Sequence, residues 1–266
     1  MRSSPSARLE ARLAPAPPPE RVAFLIGRPF AHRGLHGGPI VENSMAAFDA
    51  AIAHGYGIEC DVHASSDGVA HVFHDGTLDR LTGATGPIAA RTAAELAAIQ
   101  LNHNAGTIPR LDQLLAHVGG RVPLLIELKA PTRRVGFLCR AVRRALEGYR
   151  GSVAVMSFNP LAGAWFAARA PRIVRGLTVM DGGKPRWRLP VEHALALWRA
   201  KPDFLAYDVR DLPSPFAARC RARGLPVLSW TVRDDAARSL AAAHADQPIF
   251  EGSIFGKPAD AGTHHG

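Results

Sequence analysis

From about Arg28 onward the chain alternates short apolar runs with longer Ala- and Leu-rich segments, and this alternation leaves few folds open to it. Parallel strands buried on both faces read as near-continuous apolar runs, and each is joined to the next by a crossover helix. The runs are Pro29 to His32, Gly57 to Asp61, Pro123 to Lys129, Val153 to Ser157, Val174 to Val179, Phe204 to Tyr207, Val227 to Thr231 and Pro248 to Glu251, eight in all. Between the first two, SMAAFDAAIAHG offers a cap at Asn43 or Ser44 and a stop at Gly55. The segment TRRVGFLCRAVRRALEGY has apolar positions at three- and four-residue intervals, and Pro190 to Ala200, Ser214 to Gly224 and Asp234 to Ala243 carry the helices to the end. Eight such units predict an α/β chain closed into a TIM-type (β/α)8 barrel rather than an open sheet.

One run breaks the alternation. Val69 to His74 follows Gly57 to His63 after only Ala64, Ser65, Ser66, Asp67 and Gly68, too few residues for a crossover helix. Asp67-Gly68 predicts a turn and an antiparallel return, with Val69 opposite Ala64 and His74 brought near Glu59. Residues 64–109 then form a hairpin and a cap-like excursion with a short helix around Thr92 to Gln100. Leaving the carboxyl end of the second strand, this excursion sits over the face where barrels of this type carry their sites.

Composition supports one large core: 266 residues, 47% hydrophobic and 21% charged, exclude a disordered chain. The 32 basic and 23 acidic residues give +9, spread along the chain, which suits a small anionic partner better than nucleic acid. Cys60, Cys139 and Cys220 have no paired spacing, which argues against a disulfide framework and for a reducing, cytoplasmic setting. No run approaches the roughly 20 apolar residues of a membrane span. Residues 1–27, with Pro17 to Pro19, read as a loose leader, 28–258 as a single domain, and 259–266 as a frayed tail.

Glu59 and Asp61 are two apart on a strand and so point to one side, and Glu127 and Lys129 repeat that arrangement. Three hard oxygen ligands meeting at a barrel mouth suit one divalent cation, Mg²⁺ or Ca²⁺, rather than zinc; for Glu59 and Asp61 alone, bonds to loop amides or solvent are the plain alternative. Lys129 either neutralises Glu127 or holds an anionic phosphate oxygen. His32 and His74 end two predicted strands and offer proton acceptor and donor groups near neutral pH. Arg33 suits a phosphate grip or a salt bridge to Glu42, and Gly34 lets the loop turn closely. Phe158 and Trp230, at the ends of the fourth and seventh barrel strands, are either core or the apolar wall of a pocket.

Taken in order, FAHRG, ENSMAAF, GIECDV, DGVAHVFHD, LDRLTGATG, PLLIELK, SFNP and SWTV resemble the glycerophosphodiester phosphodiesterase family from Phe30 to Pro258. The resemblance implies a barrel of the phospholipase-C-like phosphodiesterase kind that cleaves glycerophosphodiesters, in a metal-dependent reaction, to sn-glycerol 3-phosphate and an alcohol. It also implies paired catalytic histidines at His32 and His74, metal carboxylates at Glu59, Asp61 and Glu127, and phosphate contacts at Arg33 and Lys129. Glu42 and Asn43 match the family's EN motif, with Glu42 assigned to orientation or substrate contact. VENS stands where the family commonly has PENT, the loop after His32 is one residue longer, and Phe250-Glu251 replaces TD. Hydrolysis with His32 as base and His74 as acid is the expected reaction. A lysophospholipase D, a phospholipase-like lyase and a non-catalytic phosphometabolite binder are the competitors.

Overall fold

The structure, a computed structural model, describes residues 5–252, so the expected frayed tail at 259–266 lies outside the described residues. Helices α1 (Pro5–Leu13) and α2 (Pro19–Ile26) precede the barrel. The strands are β1 (Phe30–Ala31), β2 (Gly57–Ala64), β3 (Ala70–Val72), β4 (Leu124–Leu128), β5 (Val153–Ser157), β6 (Val174–Val179), β7 (Phe204–Asp208), β8 (Val227–Val232) and β9 (Gln247–Phe250). Between and after them lie α3 (Met45–Ala53), α4 (Ala93–Ala98), α5 (Leu111–Val118), α6 (Gly136–Ala145), α7 (Pro160–Arg169), α8 (Leu189–Ala200), α9 (Pro215–Ala222) and α10 (Asp235–His244). Every strand but β3 pairs in parallel, and β1 closes the ring by pairing with both β2 (Phe30 opposite Gly57) and β9 (Ala31 opposite Phe250). The expected (β/α)8 barrel is therefore present. Among the described residues no helix is long and apolar enough to cross a membrane.

Side chains fill the barrel rather than leaving a pore. Phe30, Leu125, Met156, Phe204, Leu228 and Ile249 pack into one inner cluster. Gly57 and Gly176 make room for it: a Cβ on either would meet the ring of Phe30 or Phe204 at 2.6 Å or closer. Val22 and Leu25 of α2 belong to the same cluster, at the amino ends of the strands. The expectation of a loose leader is thus corrected. Pro19 sits in the first turn of α2, where its missing N–H costs nothing, and the apolar residues that follow close the barrel floor. Upstream, Glu10 is buried and meets Arg219 at 2.7 Å and Arg223 at 3.5 Å, which ties α1 to α9.

The antiparallel return is present, one residue out of the expected register. Ala70, not Val69, lies opposite Ala64, because Val69 is spent in the turn, where its carbonyl accepts from Ser65 N at 2.9 Å. The excursion that follows has its own core of Phe73, Leu78, Ile88, Leu96, Leu101 and Ile108. Its helix α4 begins at a capping box between Thr92 and Glu95 and stops before extended Ile99, shorter than the predicted 92–100.

Removing the buried carboxylate that docks α1 strands two guanidinium groups, one of them a third exposed. Glu10→Ala is therefore expected to lower stability by about 2 kcal/mol, checked by urea denaturation; an unchanged midpoint would mean that α1 contributes nothing to the folded state.

Candidate active site

Strands β2 and β4 are neighbours with Asp61 directly opposite Glu127, and Glu59 lies one pleat earlier on β2. All three carboxylates are buried, each with an oxygen within 4.8 Å of the others. Lys129, just past β4, reaches back with its Nζ 2.5 Å from Glu127 Oε1 and 2.8 Å from Asp61 Oδ1. On the other side Arg33 places Nε 3.2 Å from Asp61 Oδ2, and its backbone N–H donates to Glu59 Oε2 at 2.9 Å.

The loop that follows β1 delivers Arg33 by an unusual path. Arg33 and Asn43 adopt left-handed backbone angles, φ 56° and 54°, and Gly34 sits at φ 78° against the backbone of Ala47, where a Cβ would approach to 2.8 Å. Only glycine fits that contact. Asn43 N donates to Arg33 O at 2.8 Å, its side-chain amide donates to Asp61 Oδ2 at 3.0 Å, and Ser44 then caps α3 by accepting from Ala47 N. The EN pair is thus built into the site from one side of a helix start.

His32 and His74 line the same cavity, of about 310 Å³, together with Arg33, Glu59, Glu127 and Lys129. His32 Nδ1 lies 2.6 Å from Glu251 Oε1, which leaves Nε2 on the side of the carboxylates, 3.9 Å from Glu59 Oε2. His74 Nδ1 lies 2.7 Å from Asp75 Oδ1, and Arg80 binds both Asp75 and Glu42 with its guanidinium. Glu42 also accepts from Arg33 at 2.7 Å. It is held by two arginines, Arg33 and Arg80, and is not among the residues that line the cavity. Phe158 and Trp230 do line it, as an edge-to-face pair with centroids 5.4 Å apart, while Trp230 Nε1 donates to Ala206 O.

A model of the Glycerophosphoryl diester phosphodiesterase family matches residues 32–249. The chain belongs to this family. It is 28% identical over 234 residues to the probable glycerophosphodiester phosphodiesterase 1 of Mycobacterium tuberculosis, which covers 78% of this chain and 83% of the relative. Among solved structures it is similar to an Oleispira antarctica phosphodiesterase in complex with the product sn-glycerol-3-phosphate, with TM-score 0.72, 26% identity, and 86% of this chain and 94% of that one covered. A Silicibacter pomeroyi glycerophosphoryl diester phosphodiesterase, assigned putatively, matches with TM-score 0.73 and 25% identity over 86% of this chain and 93% of its own.

In this member of the family the three carboxylates do not share one electrostatic fate. Burial, reinforced by the charges of Asp61 and Glu127, pushes the Glu59 carboxyl well up, and burial also raises Glu127 against the pull of Lys129. Burial opposes ionisation of Asp61 too, yet Lys129 and Arg33 outweigh it and hold that carboxyl below its usual range. The donor set fits a hard divalent cation: three oxygen ligands converge, the Lys129 ammonium already stands as a positive charge between two of them, and Glu59 Oε1 is buried without a hydrogen-bond partner. The carboxylates thus form a potential divalent-metal site.

Glu251, Asp75 and Arg80 contribute to the site without having been singled out as site residues from the sequence. Glu251 had a signal, since it follows the last strand at the carboxyl end, where barrel sites gather. Arg80 had none, because only the folded excursion brings it to Glu42. A second group, His32, His36 and Glu251, also gathers ligand-type atoms, but Glu251 is already engaged by His32 and by Arg233 at 2.6 Å.

Burial lowers the His32 imidazole below its ordinary value, and the Glu251 carboxylate opposes that shift by stabilising the protonated form. Glu251→Gln removes the opposing charge, so the pKa of His32 is expected to fall further, as read by NMR titration of the metal-free protein. A rise on substitution would mean that Glu251 is not its partner in solution.

Proposed function

We propose that the protein hydrolyses glycerophosphodiesters to sn-glycerol 3-phosphate and an alcohol with the help of a divalent cation, Mg²⁺ or Ca²⁺, held by Glu59, Asp61 and Glu127. The observation that carries this reading is the convergence of His32, His74, Glu59, Glu127, Arg33 and Lys129 on one cavity of about 310 Å³, near the small end of the range for small-molecule sites, with Asp61 buried beside Glu59 and Glu127. The product complex of the Oleispira antarctica relative supports the substrate class. In the net reaction a water oxygen forms a bond to phosphorus, the bond to the leaving alkoxide breaks, and the alkoxide takes up a proton.

Each part of the cavity has a task in that reaction. His32, its Nδ1 fixed by Glu251, presents Nε2 to take the proton of the attacking oxygen. His74, its Nδ1 fixed by Asp75, presents its other nitrogen to protonate the leaving oxygen. Arg33 and Lys129 draw the phosphate in and balance the charge that develops on it. When bound, the cation neutralises phosphate oxygens and so lowers the barrier to attack. Phe158 and Trp230 form the apolar wall against the alcohol group. A purely binding role is disfavoured because both imidazoles keep a carboxylate partner that orients them, which a passive pocket does not require. Three free, buried cysteine thiols support a cytoplasmic location.

The test is a panel of glycerophosphodiesters offered to purified protein, with sn-glycerol 3-phosphate and the alcohol quantified separately. Chelation is expected to abolish turnover and Mg²⁺ or Ca²⁺ to restore it; full activity after chelation sinks the cation's role, and inactivity on every diester sinks the hydrolase. His32→Ala and His74→Ala are each expected to lower kcat by about 10²- to 10⁴-fold with unchanged far-UV circular dichroism.

A further inference from the structure

Nine large apolar side chains are exposed among the described residues, and four of them form one stripe. Helix α8 buries His193, Leu197 and Ala200 against the barrel, and the helical period puts Val191, Leu195 and Trp198 on the opposite side, 62%, 58% and 51% exposed. Trp187, 80% exposed in the turn that leads into the helix, extends the stripe by one more turn. A helix that only covers a barrel has a polar outer face, whereas this one is apolar on both sides. Scattered exposed apolar residues need no explanation, but a contiguous stripe does. The same segment is strongly basic. Residues 182–201 carry Lys184, Arg186, Arg188, Arg199 and Lys201 against the single acid Glu192, which Arg188 meets at 3.1 Å and Lys184 at 3.7 Å. Arg186, Arg199 and Lys201 form no ion pair among the described residues, and the Arg199 guanidinium lies 5.0 Å from the Trp198 ring instead. Helical spacing sets Arg188, Glu192 and Arg199 along one flank of the stripe.

The charges decide what can cover this stripe. A second copy of the chain would bring the patch against itself and set five cations against five, with only the already engaged Glu192 to offset them. An anionic surface meets no such opposition. The two exposed tryptophans stand at the two ends of the stripe, and a tryptophan ring, apolar with one polar N–H, settles at the boundary between acyl chains and lipid headgroups. We propose that this face docks the protein on an anionic lipid bilayer, with α8 in the plane of the headgroups, Trp187, Val191, Leu195 and Trp198 turned toward the acyl chains, and the flanking cations among the lipid phosphates. The attachment is peripheral and reversible, since one short apolar stripe with a few cations holds far less strongly than a spanning helix. It stands apart from the hydrolase reading, because none of these residues lines the catalytic cavity. Trp187 lies on the connection that leaves the carboxyl end of β6, the end at which that cavity opens, so docking sets the barrel mouth beside the bilayer.

Cosedimentation of the full chain with lipid vesicles tests this. Vesicles of phosphatidylglycerol and phosphatidylcholine are expected to capture the protein saturably, vesicles of phosphatidylcholine alone about tenfold more weakly or less, and raised salt to release it. Trp187→Ser with Leu195→Ser, and separately Lys184→Gln with Arg186→Gln, are each expected to weaken the Kd for anionic vesicles by about tenfold or more with unchanged far-UV circular dichroism. All four positions are exposed, so the fold tolerates the changes. Brominated acyl chains are expected to quench the tryptophan fluorescence, and Trp187→Phe with Trp198→Phe to abolish that quenching although Trp165 and Trp230 remain. No capture by anionic vesicles, equal capture by neutral ones, or capture that both pairs of substitutions leave intact overturns the proposal. Capture competed by sn-glycerol 3-phosphate at constant ionic strength assigns the binding to the catalytic cavity and overturns it too. So does a dimer in analytical ultracentrifugation that Trp187→Ser with Leu195→Ser dissolves, which assigns the stripe to a second copy.

Discussion

Three carboxylates buried within 4.8 Å of one another are the constraint that organises this barrel. Taking each ion out of water costs several kcal/mol, and like charges at that separation add to the cost, so the fold must bring positive charge to the same place. It does so from two directions, with Lys129 from the end of β4 and Arg33 from the loop after β1. Neither works alone. Lys129 bridges Asp61 and Glu127, whereas Glu59 accepts from the backbone N–H of Arg33 and has the His32 imidazole 3.9 Å away. Glu59 is accordingly the carboxylate whose charge the protein itself balances least.

Holding Arg33 in place propagates the constraint outward. Its left-handed backbone and the tight Gly34 contact with Ala47 fix the loop against α3, and the guanidinium is shared between Asp61 and Glu42. Glu42 passes the connection to Arg80, Arg80 to Asp75, and Asp75 to His74. The excursion after β3 is therefore more than a cover: its own apolar cluster fixes the segment that carries Arg80, and through it the orientation of one imidazole. The other imaidazole is fixed from the opposite side of the ring, by Glu251 at the end of β9 with Arg233 behind it.

How much of this could be read from the chain follows from how local each feature is. The eight barrel strands announce themselves because burial on both faces writes a continuous apolar run, and Glu59, Asp61 and Glu127 stand out as charges inside two such runs. The residue spacing puts Glu59 and Asp61 on one side, but that Glu127 lies level with Asp61 depends on the β2 to β4 register, which no local pattern contains. The hairpin register slipped by one residue for a similar reason, since Val69 is extended like a strand residue yet is used to close the turn. The leader misled because Pro17 to Pro19 suggests a chain without structure, when Pro19 in fact opens α2; that Val22 and Leu25 seal a barrel floor is visible only with the barrel in place. Arg80 and Asp75 became site residues through contacts 38 and 1 positions away along the chain, the first beyond any pattern and the second hidden beside a more conspicuous histidine.

Charge counting explains why the site is built with a deficit. Three carboxylates against Arg33 and Lys129 leave one negative charge when all are ionised, and burial pushes the Glu59 and Glu127 carboxyls up, toward their protonated forms. A divalent cation would relieve it further and would displace those protons, because a carboxylate must be ionised to act as a ligand. With such a cation the cluster would carry one net positive charge. The surrounding pairs do not disturb this count, since Glu42 and Glu251 are each matched by an arginine outside the carboxylate cluster. The edge-to-face rings of Phe158 and Trp230 stand on the apolar side of the same cavity, away from this charged cluster.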